Sequence, residues 1–453
     1  MIQEQRKNEF KRIESRFSGV GASDGRAFRK KTTSALFSFI FNAIYRFLEL
    51  SASLVFIAFF TLPVALCKLV SRIFSGGQVL ERAEIYGAGG APLKVFFFRS
   101  ERYYIRNASL FIYVLLGDIG LVGIGVEKFG SRPDAPENAY IMRDKPGIFN
   151  LWFIRESGKI GHEGKIGTEW EYMFRRNIMR DLSLILRSLP SALMRSGDST
   201  FHPEISLFGI KFRNLKMAEA VELVENSIIN KERKKIFFIN PDCLNKTFSD
   251  DAYSSVLKQG DVVLPDGSGL SLACKIIGKP LLENVNGTDM FPFLCRLSAA
   301  KKYSLYLLGA KPGVAEAVKK NLELKYSGIV IGGARDGYFD REKDSKSVIE
   351  EVNRQAPDIL FVAFGAPVQE KWISEHFDQL NAKVCIGVGG LFDFYSGRIP
   401  RAPKWMREFG LEWIFRLMQE PVRMWKRYII GNPVFVFRVM KWKAFMEDSN
   451  GNK

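Results

Sequence analysis

The sequence predicts an α/β protein: a mostly parallel sheet with helices on both faces, a helical C-terminal appendage, and an N-terminal membrane-associated α+β domain. Three observations carry this expectation. From Ile205 onward, short apolar runs alternate with amphipathic helical stretches. Residues 50–67 contain no charged side chain. The 453 residues are 47% hydrophobic yet carry a formal charge of +17, which calls for an anionic partner: lipid, phosphorylated substrate or nucleic acid.

Residues 1–34 are polar and basic and read as a flexible arm. Residues 35–200 read as a membrane-docking domain. Apolar sequence dominates from 35 to 70, and the uncharged run is near the lower length limit for a membrane span. Pro63 lies inside that run and should break or kink a helix. Lys30 and Lys31 before it, and Lys68 and Arg72 after it, put both flanks on the cytoplasmic side. A re-entrant helix over 50–70 satisfies both demands; a buried core helix is the competing reading.

Residues 203–410 form the α/β domain. Apolar runs at 236–239, 262–264, 305–308, 329–331, 359–364 and 384–388 read as buried parallel strands of a Rossmann-like sheet. Glycines after the strands, in Gly309-Ala310-Lys311 and Gly387-Val388-Gly389, can present backbone N–H groups to phosphate. Residues 411–453 form the basic amphipathic appendage. Arg416, Arg423 and Arg427 are seven and four residues apart, which places them on one helical face, and Pro421 divides the segment. Such a face suits an anionic membrane surface, with Arg427 among its lipid-facing cations, or a departing diphosphate, with Arg416 and Arg423 as the cations. A solvated basic face is the plain alternative.

Composition narrows the chemistry. Five cysteines without a CxxC pair and three scattered histidines argue against a zinc site, a disulfide framework or a histidine triad. No cofactor and no metal are expected, and no nucleic-acid motif or dinucleotide fingerprint accompanies the basic charge. Carboxylates and cations must do the work. Asp266 stands out because it follows a strand directly and precedes Gly267 and Gly269. Strand ends border the ligand crevice of an open α/β sheet, so a carboxylate there can serve as a general base. A turn or helix-cap role is the competing reading.

Two resemblances add to this. Lys94–Ser100, Leu115–Gly123 and Lys145–Ile148 resemble the monotopic bacterial sugar-1-phosphate transferases, but that family's Asp-Glu dyad falls on Arg106-Asn107. The region therefore reads as a degenerate, membrane-docking relic. Residues 205–433 resemble the WecG/TagA/CpsF glycosyltransferases through Leu-Pro-Asp-Gly at 264–267, Asn-Gly-Thr-Asp at 286–289, Gly-Ala-Pro-Val-Gln-Glu at 365–370 and Arg-Ala-Pro-Lys-Trp at 401–405. This resemblance implies inverting transfer from a UDP-sugar to a polyprenyl-diphosphate-linked sugar on the cytoplasmic face of the bacterial inner membrane, during synthesis of an exopolysaccharide, capsule or teichoic-type polymer. It implies Asp266 as base, Asn240, Asp289 and Gln369 in the cleft, Gly309, Lys311 and Gly389 near the nucleotide, and Arg416, Arg423 and Lys426 in a closing appendage. A bifunctional enzyme, and a non-catalytic scaffold with homo-oligomeric or polysaccharide-assembly partners, are the alternatives.

Overall fold

The computed structural model describes residues 31–75, 78–100, 102–132, 141–142, 144–158, 164–194 and 201–451. The expected arm at 1–34 lies outside them except for its last four residues, which are already helical. The described residues divide into two compact units, 31–194 and 201–451.

In the first unit, helix Lys31–Phe56 passes through a π-helical turn, Ile57–Thr61, into helix Leu62–Ser75. The expected break at Pro63 is absent, and the separate re-entrant helix over 50–70 is not seen. The Leu62 N–H bonds back to the Ile57 carbonyl, so the ladder has already slipped by one residue where the proline, lacking a donor, enters. One face of this helix is held to its own unit: Thr61 Oγ1 donates to the Ala108 carbonyl at 2.7 Å, and Phe56 stacks on Phe111. The other face presents Phe47, Phe59, Leu62, Leu66 and Ile73 as exposed apolar side chains. Residues Ala43–Ile73 are long and apolar enough to cross a membrane. At the site of the expected degenerate dyad, Arg106 lies over the Phe97 ring and Asn107 is buried.

In the second unit, six strands form one parallel sheet: β1 Lys234–Ile239, β2 Val262–Pro265, β3 Ser304–Gly309, β4 Val330–Arg335, β5 Ile359–Ala363 and β6 Val384–Gly387. Their spatial order is β4-β3-β5-β6-β1-β2. All six apolar runs of the sequence are strands. Alternate residues of each strand enter opposite cores, Phe237 and Ile239 on one side, Ile236 and Phe238 on the other. Helices α1 Met217–Ile229, α2 Pro241–Lys246, α3 Asp251–Lys258, α4 Ser268–Ile276, α5 Gly287–Lys301, α6 Val314–Lys325, α7 Ser345–Gln355, α8 Val368–His376 and α9 Leu391–Tyr395 cover the faces. The C-terminal segment adds α10 Lys404–Glu408, α11 Glu412–Gln419, α12 Pro421–Trp425, a π turn at Lys426–Ile430 and α13 Gly431–Gly451.

The connections decide where a ligand can sit. After β1 and β5 the chain turns into α2 and α8 on one face, whereas after β3 and β6 it turns into α6 and α9 on the other. Neighbouring strands whose exits diverge open a crevice at their carboxyl ends. This happens between β3 and β5, between β5 and β6, and between β6 and β1. Helix α13 sinks Phe435 and Val439 into the core on the α2 face, and Arg438 reaches the Asn245 carbonyl at 3.1 Å.

Candidate active site

The turn after β2 is built to hold Asp266 at a crevice. The Asp266 N–H donates to the Ile239 carbonyl at 2.8 Å, fixing it beside the end of β1. Gly267 has φ of +92°, where a side chain is strained, and its N–H is taken by Asn284 Oδ1 at 2.8 Å. Gly269 is required for packing. A Cβ there would lie 2.6 Å from Pro241 Cγ, so the missing side chain lets α4 pack on the start of α2.

Asn240 caps α2, accepting the Cys243 N–H at 3.0 Å, and its polar side chain favours the ionised form of Asp266. The sequence placed Asn240 in the cleft as a substrate contact; its side chain lies on the side of the cleft that holds Asp266 and caps α2 there. Two cations face the carboxylate electrostatically. Arg427, expected at the membrane, turns inward instead: its Nε lies 3.7 Å from Asp242 Oδ2, and it is the largest charge stabilising ionised Asp266. The cause is the π turn at 426–430, which changes the angle per residue and takes Arg427 off the face of Arg423. Arg416 approaches so closely that a Cβ on Gly390 would be 2.6 Å from its Nη2. Its Nε is buried without a hydrogen-bond partner among the described residues, and its guanidinium lies over Phe394.

Burial is the largest influence on Asp266 and raises its carboxyl above the usual range. Arg427 opposes that shift, Glu412 reinforces it, and Asn240 and Arg416 oppose it again, with burial prevailing. A carboxylate tuned upward in a cleft accepts a proton more readily than a surface aspartate.

The other sequence candidates fall into two groups. Asp289, Gln369, Gly309 and Gly389 are committed to the fold. Asp289 receives Arg401 Nη1 at 2.6 Å and Asn286 Nδ2 at 2.8 Å in the first turn of α5. Burial pushes its carboxyl up, but Arg401 and Asn286 outweigh that and hold it below the ordinary range. Gln369 is buried and accepts the N–H groups of Gly365 and Gly389. Gly309, with φ of +133°, is needed where β3 meets β5, since a Cβ would lie 2.7 Å from the Ala363 backbone. Lys311, Arg423 and Lys426 face outward. Arg423 is 62% exposed and pairs with Glu420 rather than reaching Asp266, and Lys426 lies over the Trp425 ring.

Sequence reasoning missed Asp242, Glu412 and Glu370. Asp242 was legible as an acid in the first turn of a helix that opens at a strand end. Glu370 carried the same signal in the first turn of α8 after β5, whereas Glu412 opens a helix that follows no strand. Among the described residues, no group of three or more His, Cys, Asp or Glu side chains is placed to hold a metal ion.

Comparison with known proteins identifies the family. The profile of the glycosyl transferase WecG/TagA/CpsF family matches residues 205–449. An N-acetylglucosaminyldiphosphoundecaprenol N-acetyl-beta-D-mannosaminyltransferase of Bacillus subtilis (strain 168) is 32% identical over 237 residues, covering 52% of this chain and 91% of the relative. The Staphylococcus aureus (strain MRSA252) protein of the same name is 29% identical over 246 residues, covering 53% and 93%. The match spans the whole parallel sheet, the turn that carries Asp266 and the helices that bring Arg416 and Arg427, and it places this chain in the WecG/TagA/CpsF glycosyltransferase family.

Proposed function

We propose that the second unit transfers a sugar, N-acetylmannosamine or a close relative, from a UDP-sugar to a polyprenyl-diphosphate-linked N-acetylglucosamine. The observation that carries this reading is Asp266, raised by burial and flanked by Asn240, Arg416 and Arg427 at the β6/β1 crevice. In the reaction, Asp266 takes the proton of the acceptor hydroxyl. The hydroxyl oxygen forms the new bond to the anomeric carbon, and the pair of the breaking bond leaves on the UDP oxygen. Attack opposite the leaving group inverts the anomeric centre. The two guanidinium groups offset the charge that develops on the diphosphate.

The acceptor is a membrane lipid, and the protein carries surfaces that suit one. The exposed face of the helix over 43–73 supports membrane association of the first unit. On the appendage, Met418, Val422, Ile430 and Phe437 are exposed beside Arg423 and Lys426, a mixture that favours anionic bilayers. We place both at the cytoplasmic face, where the basic flanks of the apolar helix belong.

The test supplies the full chain in lipid vesicles with UDP-N-acetylmannosamine and undecaprenyl-diphosphate N-acetylglucosamine, followed by mass spectrometry of the lipid. A product heavier by one N-acetylhexosamine supports the reading. No product from this or any other UDP-sugar rejects it. Supplying bare polyprenyl phosphate tests the first unit, and sugar-1-phosphate transfer there would reject its docking role.

A further inference from the structure

Gln369 and Glu370 are buried neighbours in the first turn of α8. The Gln369 side chain closes a clamp of three hydrogen bonds. Its Oε1 accepts the Gly365 N–H at 3.1 Å and the Gly389 N–H at 2.8 Å, while its Nε2 donates to Glu370 Oε1 at 2.7 Å. Gly365 follows β5 and Gly389 follows β6, so one amide ties together the loops leaving two adjacent strands. A Cβ on Gly387 would lie 3.0 Å from Gln369 Nε2, so the side chain is also hemmed in sterically.

An amide has two ends of nearly equal shape and opposite hydrogen-bonding sense. Only one orientation sets oxygen on the two glycine N–H groups; the other sets donor against donor. Packing cannot choose between them; the two N–H groups at one end and an acceptor beside Nε2 at the other do so together. Glu370 Oε1 is that acceptor. Its second oxygen, Oε2, is buried without a hydrogen-bond partner among the described residues, a costly arrangement for stability alone. Burial pushes the Glu370 carboxyl up to about 7.

We propose that Glu370 is a positioning residue, fixing the Gln369 amide in the orientation that holds the Gly365 and Gly389 loops at the rim of the crevice. Through Gly389 it also sets the backbone of Gly390, against which Arg416 lies. The clamp is read from geometry; its kinetic consequence rests on the glycosyltransferase reading above.

The experiment is hydrogen–deuterium exchange on the full chain, reading the segments around Gly365 and Gly389, beside steady-state transfer kinetics. Glu370→Ala raises exchange in both loops by about tenfold or more. It lowers kcat on the order of 10 to 100-fold with little change in acceptor KM, because the leaving-group side is displaced. Glu370→Gln keeps an acceptor oxygen and restores the protection. Wild-type exchange in Glu370→Ala, or equal loss of protection in both variants, overturns the proposal. If Glu370→Ala does not fold, Gln369→Glu decides. Two facing carboxyls must then share a proton, so protection at Gly389, corrected for intrinsic exchange, is present near about pH 6 and lost by about pH 8. Protection indifferent to pH overturns the clamp. Failure of wild-type transfer with every UDP-sugar would instead sink the glycosyltransferase reading, while the exchange data still judge the clamp.

Discussion

Asp266 and Asp289 belong to the same unit, each surrounded by arginines, yet their carboxyls are driven in opposite directions. Asp289 meets Arg401 Nη1 at 2.6 Å and shares it with Glu412, which sits 3.0 Å from Arg401 Nε. Asp266 has no arginine within ion-pair distance among the described residues; its nearest strong cation, Arg427, is itself drawn toward Asp242. The comparison separates two uses of guanidinium. Direct hydrogen bonding locks a carboxylate into structure, whereas a cation held back by another acid leaves the carboxylate basic and open to a substrate.

The largest expected effect breaks one side of this comparison. Asp266→Asn lowers turnover by about 10² to 10⁴-fold, the range for loss of a general base, while calorimetry finds UDP affinity nearly unchanged. Equal loss of UDP affinity would contradict the base assignment. The same substitution has an opposite sign for stability. A carboxyl raised by folding contributes stability that is present below its unfolded pKa and lost as pH rises through the folded one. Asp266→Asn therefore melts at a higher temperature than wild type at alkaline pH.

Asp289→Asn should do the reverse, costing about 3 kcal/mol at neutral pH by removing the closer of Arg401's two acidic partners. Since the Asp289 carboxyl is lowered by folding, its contribution is present above the unfolded pKa and fades as the pH falls through the folded one. Thermal melts across that range show the gap between wild type and variant closing in acid.

Smaller effects sharpen the picture through the pH profile. Glu412→Gln removes a charge that raises Asp266, so the acid limb of kcat/KM moves to lower pH. Arg427→Gln removes one that lowers it, and the limb moves to higher pH. Limbs that stay together would dissociate Asp266 from the profile. Arg423→Ala, on the surface, should leave kcat nearly unchanged and weaken vesicle binding, more visibly at low salt.

Much of the sheet was legible in the sequence because buried parallel strands must be continuously apolar, as residues 359–364 and 384–388 are. Asp266 was legible because its strand ends in Pro-Asp-Gly. The surroundings of Asp266 were not. A spacing of seven and four places Arg416, Arg423 and Arg427 together only if the helix is regular, but Glu420 leaves helical geometry and 426–430 widen into a π turn. Spacing likewise could not show that Gly269 answers to Pro241 or that Gln369 spends its oxygen on two glycines. The contacts to Pro241 and Gly389 join segments 20 or more residues apart, where local pattern carries no information.

The anchoring of α13 bears on how a bulky lipid-linked sugar reaches Asp266. Re-exposing Phe435 and Val439 to water costs on the order of 3 to 6 kcal/mol, so the last helix is a post set in the foundation and not a hinged door. Admission then falls to the shorter pieces upstream, residues 404–425, which can shift without uprooting that post. A chain cut after residue 430 loses a pillar of its core together with its cover, and inactivity in such a fragment says nothing about gating.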